Sequence, residues 1–326
     1  MVGVGIDVGK ESLVVAVHDP AWEGTFENTP AGHKALLKVL KKRAKGCRVV
    51  LEPTATYHLA IANCLHKAGV PIMVVNPRLT KNFAKARNQR GKSDRADSKM
   101  LAAYAVVMAF IPWTPPRAAV LQLRDLQRRR AQLVRARTRE KTRLVELKAV
   151  GGAPDLIEDL QLSIDFHKQR ILAMEKAMAA VVSSDPELAA WSARLKTIPG
   201  VADVTAMSVM AEVAYLPADV DAKQLTALAG LDPKPHQSGA MDARRSISKA
   251  GNKYLRTTLY LAAWNASTFS PHVKAYRDAL VLRGKPANVA YVATARRLLL
   301  AMRGMQATET DWSGQRFFAI PEPNLA

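Results

Sequence analysis

Residues 2–8 and 12–18 are runs of valine, isoleucine and leucine split by Gly9 and Lys10, and a third extended piece fits 24–28. Short apolar runs broken by turn residues predict a meander of three β-strands. Thr29-Pro30 has the side-chain cap and the fixed φ of a helix start, so a helix is expected to about residue 45. A short strand at 48–51, a helix at 56–67, a strand at 71–75 and a further helix follow. Three strands, helix, strand, helix, strand, helix is the order of an RNase H-like α/β domain. An ordinary α/β domain begins the same way, so order alone leaves both open.

Pro115-Pro116 ends this region and Pro186 marks the next strong break. Between them the period becomes helical, interrupted only by Gly151-Gly152-Ala153-Pro154. In the second arm Ile157, Leu160, Ile164, Ile171, Met174, Met178 and Val181 fall at a and d of a heptad, with only His167 polar in the seam. The pattern predicts a helical hairpin with a coiled-coil seam over 117–185, and boundaries of 1–116 and 186–326 for the domains on either side. From Trp191 the chain is helical again, and Thr197 to Met207 resembles a helix-hairpin-helix element. The usual second glycine of that motif is Ala202 here, so phosphate contact and plain helix packing both remain open.

Composition changes the picture chiefly through charge. The 326 residues are 48% hydrophobic with a formal net charge of +20, which suits a folded chain whose partner is a polyanion. Nucleic acid leads and an anionic membrane is second. The longest apolar run, 100–111, stops at Pro112, short of the roughly 20 residues that span a bilayer. No signal-peptide pattern opens the sequence, so a cytoplasmic protein is expected, associated with the bacterial nucleoid when active. Cys47 and Cys64 lack metal-site spacing and are expected to be reduced, without zinc. The first arm of the hairpin concentrates positive charge in Arg124, Arg128, Arg129, Arg130 and Arg135. A solvated helix face mixes signs; this one-sign run reads as a binding surface for a nucleic-acid backbone.

Four carboxylates carry the candidate chemistry. Asp7 lies in the first strand, Glu52 directly follows the strand at 48–51, and parallel strands would bring both to one edge. Asp94 and Asp97 open a helix three residues apart and share a face. Singly, each has a bland use as a turn or cap residue. Together at one edge they repel unless cations neutralise them, and oxygen ligands suit Mg²⁺ or Mn²⁺, which in pairs support phosphoryl transfer. Arg87, Arg90 and Lys92 beside the Asp pair would hold a charged backbone there.

The last third contains Gln237-Ser238-Gly239 and then a basic block with Arg244, Arg245, Lys249, Lys253 and Arg256. A serine hydroxyl needs a base or a metal to act as a nucleophile, and no Ser-His-Asp spacing is evident although His236 is near. Ser238 also reads as an ordinary Ser-Gly turn, and Ser246 and Ser248 are competing hydroxyls. With Gly5-Ile6-Asp7, Leu51-Glu52-Pro53-Thr54, Lys92-Ser93-Asp94-Arg95-Ala96-Asp97, the helical insert and this block in order, the chain resembles the RuvC-like DEDD transposases of insertion sequences guided by a bridge RNA. The resemblance implies an RNase H-like (RuvC-like) α/β domain with a helical coiled-coil insert and an all-helical C-terminal transposase domain. It further implies a composite site of Asp7, Glu52, Asp94, Asp97 and Ser238 with Mg²⁺ or Mn²⁺, and strand exchange through a phosphoserine bond. Donor and target DNA, a noncoding bridge RNA and a homo-oligomer, a dimer or a tetramer in synapsis, are the partners it implies; no membrane partner is expected. Three rivals stand beside it, one of them a non-catalytic nucleic-acid-binding protein, which leaves the acidic quartet unexplained. A hydrolytic nuclease or junction resolvase would use the carboxylates alone, and an actin-like ATPase would use Gly5 to Gly9 as a phosphate loop but needs a second β-rich half.

Overall fold

The structure is a computed structural model that describes residues 2–53, 56–88, 93–216, 220–233, 237–238, 241–242 and 246–320. The chain forms two compact units, 1–115 and 116–326.

In the first unit the strands are β1 (Gly3–Val8), β2 (Ser12–Val17), β3 (Trp22–Glu27), β4 (Arg48–Leu51) and β5 (Ile72–Val74), and the helices are α1 (Pro30–Arg43), α2 (His58–Lys67), α3 (Pro77–Ala86) and α4 (Asp94–Val107). The expected order holds, with the third strand starting at Trp22. The sheet runs β3-β2-β1-β4-β5, antiparallel across β3, β2 and β1 and parallel across β1, β4 and β5. Strand alternation splits β1 cleanly. Val4, Ile6 and Val8 join Leu13, Val15, Leu36, Leu51, Ile61 and Leu65 in one core layer. The opposite face, with Val50 and Met73, is covered by Leu101, Tyr104 and Ala105 of α4. This is the RNase H-like arrangement.

Two glycines set how closely α4 lies on that face. A Cβ on Gly5 would sit 2.0 Å from the Ser98 carbonyl oxygen, and one on Gly3 would sit 2.4 Å from the Ala102 carbonyl oxygen. Here glycine serves close backbone approach. The contacts also give direction: from Gly3 to Gly5 the facing residues shift from Ala102 and Val106 back to Ser98 and Leu101. So α4 runs antiparallel to β1, and its first turn lies at the Asp7 end.

The second unit begins with α5 (Ala118–Ala149) and α6 (Pro154–Ser184), joined through Gly151, whose φ of 67° suits a residue without a Cβ. The two helices pair as a hairpin. Leu144 clusters with Leu160 and Ile164 near the tip, and Val120 and Leu123 share the main core with Met178 and Val181 at the base. Of the heptad seam, Leu160, Ile164, Ile171, Met178 and Val181 are buried, and Ile157 and Met174 are half-buried. Next come α7 (Pro186–Lys196), α8 (Asp203–Val213), α9 (Ala222–Ala229), α10 (Lys253–Phe269), α11 (Pro271–Leu282), α12 (Ala287–Thr308) and the short α13 (Gly314–Phe317). The expectation of an all-helical domain needs one correction: β6 (Gln237–Ser238) pairs antiparallel with β7 (Met241–Asp242). In the turn between α7 and α8, Gly200 has φ 88° and lies against the backbone of Asn265 and Ala266 on α10. That glycine seats the turn on a neighbouring helix.

The core of this unit is built around α8, which is buried from Ala206 to Val213. Its one charged residue there, Glu212, is fully buried and accepts hydrogen bonds from Arg128 Nε and Nη2 at 3.0 and 2.9 Å and from Asn252 Nδ2 at 2.5 Å. A buried carboxylate with three donors is satisfied, and it ties α5 and α10 to α8. Cys47 and Cys64 are free. Among the described residues no helix is long and apolar enough to cross a membrane.

Candidate active site

Parallel pairing of β1 with β4 matches Ile6 to Leu51, so the next residues, Asp7 and Glu52, leave the sheet at the same level and on the same face. That face is the one α4 crosses. Its first turn is fixed by Ser93, whose hydroxyl accepts the Ala96 N–H, and it carries Asp94, which is exposed, and Asp97, which is half-buried. The N-terminal end of a helix is a favourable place for negative charge, which offsets part of the mutual repulsion.

The electrostatics of Asp7 report this grouping directly. Its pKa is raised from 3.8 to about 6, first by burial and then by the charges of Asp94, Asp97 and Glu52, against a lowering hydrogen bond from the Val8 N–H. Glu52, Asp94 and Asp97 each lie within electrostatic reach of Asp7. Among the described residues, no three acidic, histidine or cysteine side chains close on a point at coordination distance. Carboxylate oxygens are the donor type that Mg²⁺ or Mn²⁺ takes, but as placed the four side chains do not form a coordination sphere.

Two polar residues absent from the sequence reading shape this edge. Thr80, fully buried on α3, hydrogen-bonds through its hydroxyl to Glu52 Oε1 and lies 3.0 Å from the Pro77 carbonyl oxygen. Asn28 donates to the Gly9 carbonyl at 3.0 Å and bonds His33 Nε2 at 2.8 Å, bracing the turn that follows Asp7. A capped α3 (Asn76, Pro77) signalled the helix, but nothing in the pattern singled out Thr80.

Ser238 belongs to the second unit, in β6 opposite Met241. The hairpin is closed at its base by pairing of Pro233 with Ile247, by Ser248 N–H donating to the Asp232 carbonyl at 2.8 Å, and by the Ser248 hydroxyl donating to Asp232 Oδ1 at 2.5 Å. Of the competing hydroxyls, Ser248 is thus engaged in holding the loop, and Ser246 is exposed. His236, Arg244 and Arg245 lie outside the described residues, as do Arg90 and Lys92.

The remaining basic candidates divide into engaged and exposed groups. Arg128 is committed to Glu212, whose hydrogen bonds raise its pKa further; Arg130 pairs with Glu175 at 2.7 Å; and Arg256 donates to the Ala229 carbonyl at 2.9 Å. Arg124 packs over Tyr215. Arg87, Arg129, Arg135, Lys249 and Lys253 are exposed. Arg135 and Lys253 both lie over the Tyr254 ring, at 5.4 and 5.3 Å.

An RNase H-like α/β unit is followed by a helical unit, and comparison with known proteins gives the class of this arrangement. Residues 4–147 match the IS110-type DEDD transposase model, described as transposase, and residues 192–278 match the transposase model of the IS116/IS110/IS902 family. The pilin gene-inverting protein of Moraxella bovis is 25% identical over 307 residues, covering 91% of this chain and 92% of that protein. The transposase for insertion sequence element IS1111A of Coxiella burnetii is 28% identical over 219 residues, covering 59% of this chain and 58% of its own length. Among solved structures, T. thermophilus RuvC in complex with a Holliday junction substrate aligns at 20% identity and a TM-score of 0.26, covering 31% of this chain and 90% of RuvC. The chain belongs to the IS116/IS110/IS902 family of transposases.

Proposed function

We propose that this transposase recombines DNA through a covalent bond between Ser238 and a DNA phosphate, assisted by Asp7, Glu52, Asp94 and Asp97. What supports the reading is that Asp94, Asp97 and Glu52 lie near enough to Asp7 to add, after burial, to the rise of its pKa to about 6. Such a cluster is costly without a cation, and a hard divalent ion held there would supply the positive charge that activates a hydroxyl and stabilises a leaving oxygen. Glu52 is held in place by Thr80, and the first turn of α4 presents Asp94 and Asp97. Ser238 Oγ forms a bond to phosphorus as the bond from phosphorus to a DNA oxygen breaks, and the serine proton ends on the released DNA hydroxyl. A second DNA hydroxyl then displaces Ser238, so the phosphodiester energy is conserved and no nucleotide is consumed.

The family resemblance carries the remaining parts of the proposal. A noncoding bridge RNA pairs with donor and target DNA, which leaves base pairing to read sequence while exposed cations such as Arg129, Arg135, Lys249 and Lys253 hold the backbone. The α5–α6 hairpin acts as the coiled-coil insert, and a homo-oligomer in the cytoplasm joins the acidic edge of one subunit to a serine hairpin. The test is cleavage of labelled DNA in Mg²⁺, without ATP, read on denaturing gels. Parent protein should leave a denaturation-resistant protein–DNA adduct, Ser238→Ala should bind but neither cut nor form it, and Asp97→Asn should do likewise. Cutting by Ser238→Ala at the parent rate would make water the nucleophile and the enzyme a resolvase-like nuclease.

A further inference from the structure

A second cluster of cations lies far along the chain from the serine hairpin, on elements that extend beyond both family-matched segments, which end at residue 278. A cavity of about 450 Å³ opens there, lined by Arg296 and Arg297 of α12, Arg316 of α13 and an apolar wall that includes Tyr276, Leu300 and Phe317. Among the described residues no acidic side chain lines it. Arg297 is held in place by the rings, its guanidinium carbon 4.7 Å from the Tyr276 centroid and 5.2 Å from that of Phe317, and the two rings meet edge-on at 5.6 Å. A guanidinium fixed by its face keeps its N–H edge free for an oxyanion. Among the described residues none of the three arginines forms an ion pair, although ten such pairs occur elsewhere. Arg296 and Arg316 are exposed.

Three guanidinium groups lining one cavity, with no acid among its described lining residues, make a site that is short of negative charge. The apolar wall gives it a second preference. We infer that this cavity binds the phosphodiester backbone of a nucleic-acid strand, the arginines taking phosphate oxygens and the Tyr276–Leu300–Phe317 wall a ribose or base. The volume lies in the usual range of about 300–1,000 Å³ for small-ligand pockets and accommodates a single nucleotide of a strand that continues outside. The inference rests on the reading of the chain as a nucleic-acid enzyme and adds a contact remote in sequence from Asp7 and Ser238. DNA and RNA offer the same phosphate chemistry, so the probes distinguish them.

The experiment compares the full chain with Arg296→Ala/Arg316→Ala, leaving Arg297 in its ring contacts, and with the charge-matched control Lys38→Ala/Lys42→Ala on the exposed side of α1. Fluorescence anisotropy with single-stranded RNA, single-stranded DNA and duplex DNA across a salt series gives affinity and slope. The arginine variant should melt like the parent but bind at least one probe several-fold more weakly, with a log–log salt slope shallower by about one to two, and the control should change far less. The probe most affected names the source of the strand. A variant matching the control on all three probes overturns the cavity assignment while leaving the wider functional reading intact. Equal weakening towards a polyglutamate peptide overturns it too, by making the site a general anion trap. A parent that binds none of the probes removes both readings together.

Discussion

Replacing Asp7 with asparagine removes a carboxylate whose ionisation is opposed first by burial and then by the charges of Asp94, Asp97 and Glu52. In the metal-free protein the Asp7 pKa rises from 3.8 to about 6, so folding favours its protonated form. The sign follows from linkage: the unfolded chain releases this proton near pH 4 and the folded chain near pH 6, so stability falls as pH rises between them and stays low above. At about 1.4 kcal/mol per pKa unit the ionised form costs up to about 3 kcal/mol, and partial solvent exposure of the edge reduces this to roughly 1–2 kcal/mol. The asparagine side chain is never charged and keeps an oxygen for the Val8 N–H. In chelator at about pH 8 the Asp7→Asn variant should therefore melt roughly 3–8 °C above the parent. Near pH 4, where Asp7 is largely protonated in the fold, the difference should nearly vanish. Saturating Mg²⁺ should reverse the order, because only an intact carboxylate cluster gains stability by binding. Melting curves at the two pH values, with chelator and with Mg²⁺, test all three statements. An unchanged melting temperature in chelator at pH 8, or an equal gain at both pH values, would refute the argument that burial and its acidic neighbours make the Asp7 charge costly.

Gly5→Ala should place a methyl group against the Ser98 carbonyl oxygen and lift α4 from β1, costing about 1–3 kcal/mol and displacing the Asp94–Asp97 turn; melting and cleavage should fall together, and a fully active variant would refute the packing role of that glycine. Arg128→Ala leaves the fully buried Glu212 without its cation and should destabilise the second unit by about 3–5 kcal/mol, measured by denaturant unfolding, whereas Arg129→Ala should lie within about 0.5 kcal/mol of the parent. Neutralising Arg129 with Arg135 should instead shallow the salt dependence of nucleic-acid binding by up to about two log–log units with little change in melting, and an unaltered slope would assign this face to solvent.

The sheet was legible because period-two runs and a clear Thr-Pro helix start agree with each other, and because strands at 2–8 and 48–51 pair in parallel with Asp7 and Glu52 one step beyond Ile6 and Leu51. The two glycines before Asp7 were harder to read. In sequence Gly5 to Gly9 looks like a phosphate loop, and only the approach of Ser98 and Ala102 reveals why Gly3 and Gly5 lack side chains. The arginine run shows a related limit. Arg128, Arg129 and Arg130 are equivalent as charges, yet about 100° of helical rotation per residue sends Arg128 to Glu212, Arg130 to Glu175 and Arg129 to solvent. One signal for this was available: Glu212 is the lone acid in the apolar stretch from Ala206 to Val213, and a buried carboxylate demands a cationic or hydrogen-bonding partner. The hairpin bearing Ser238 has strands of two residues, too short for any periodicity to register. Its clasp, Asp232 with Ser248, joins residues sixteen apart, a pairing that no local period in the sequence signals.

A covalent bond at Ser238 is tested most directly by mass spectrometry of proteolysed enzyme after reaction with DNA in Mg²⁺ and nuclease trimming. A nucleotide adduct is expected on the peptide containing Ser238, absent when Mg²⁺ is chelated and absent from Asp7→Asn. Cut DNA with no modified peptide, or with the nucleotide on a peptide containing Ser246 or Ser248 instead, would contradict it.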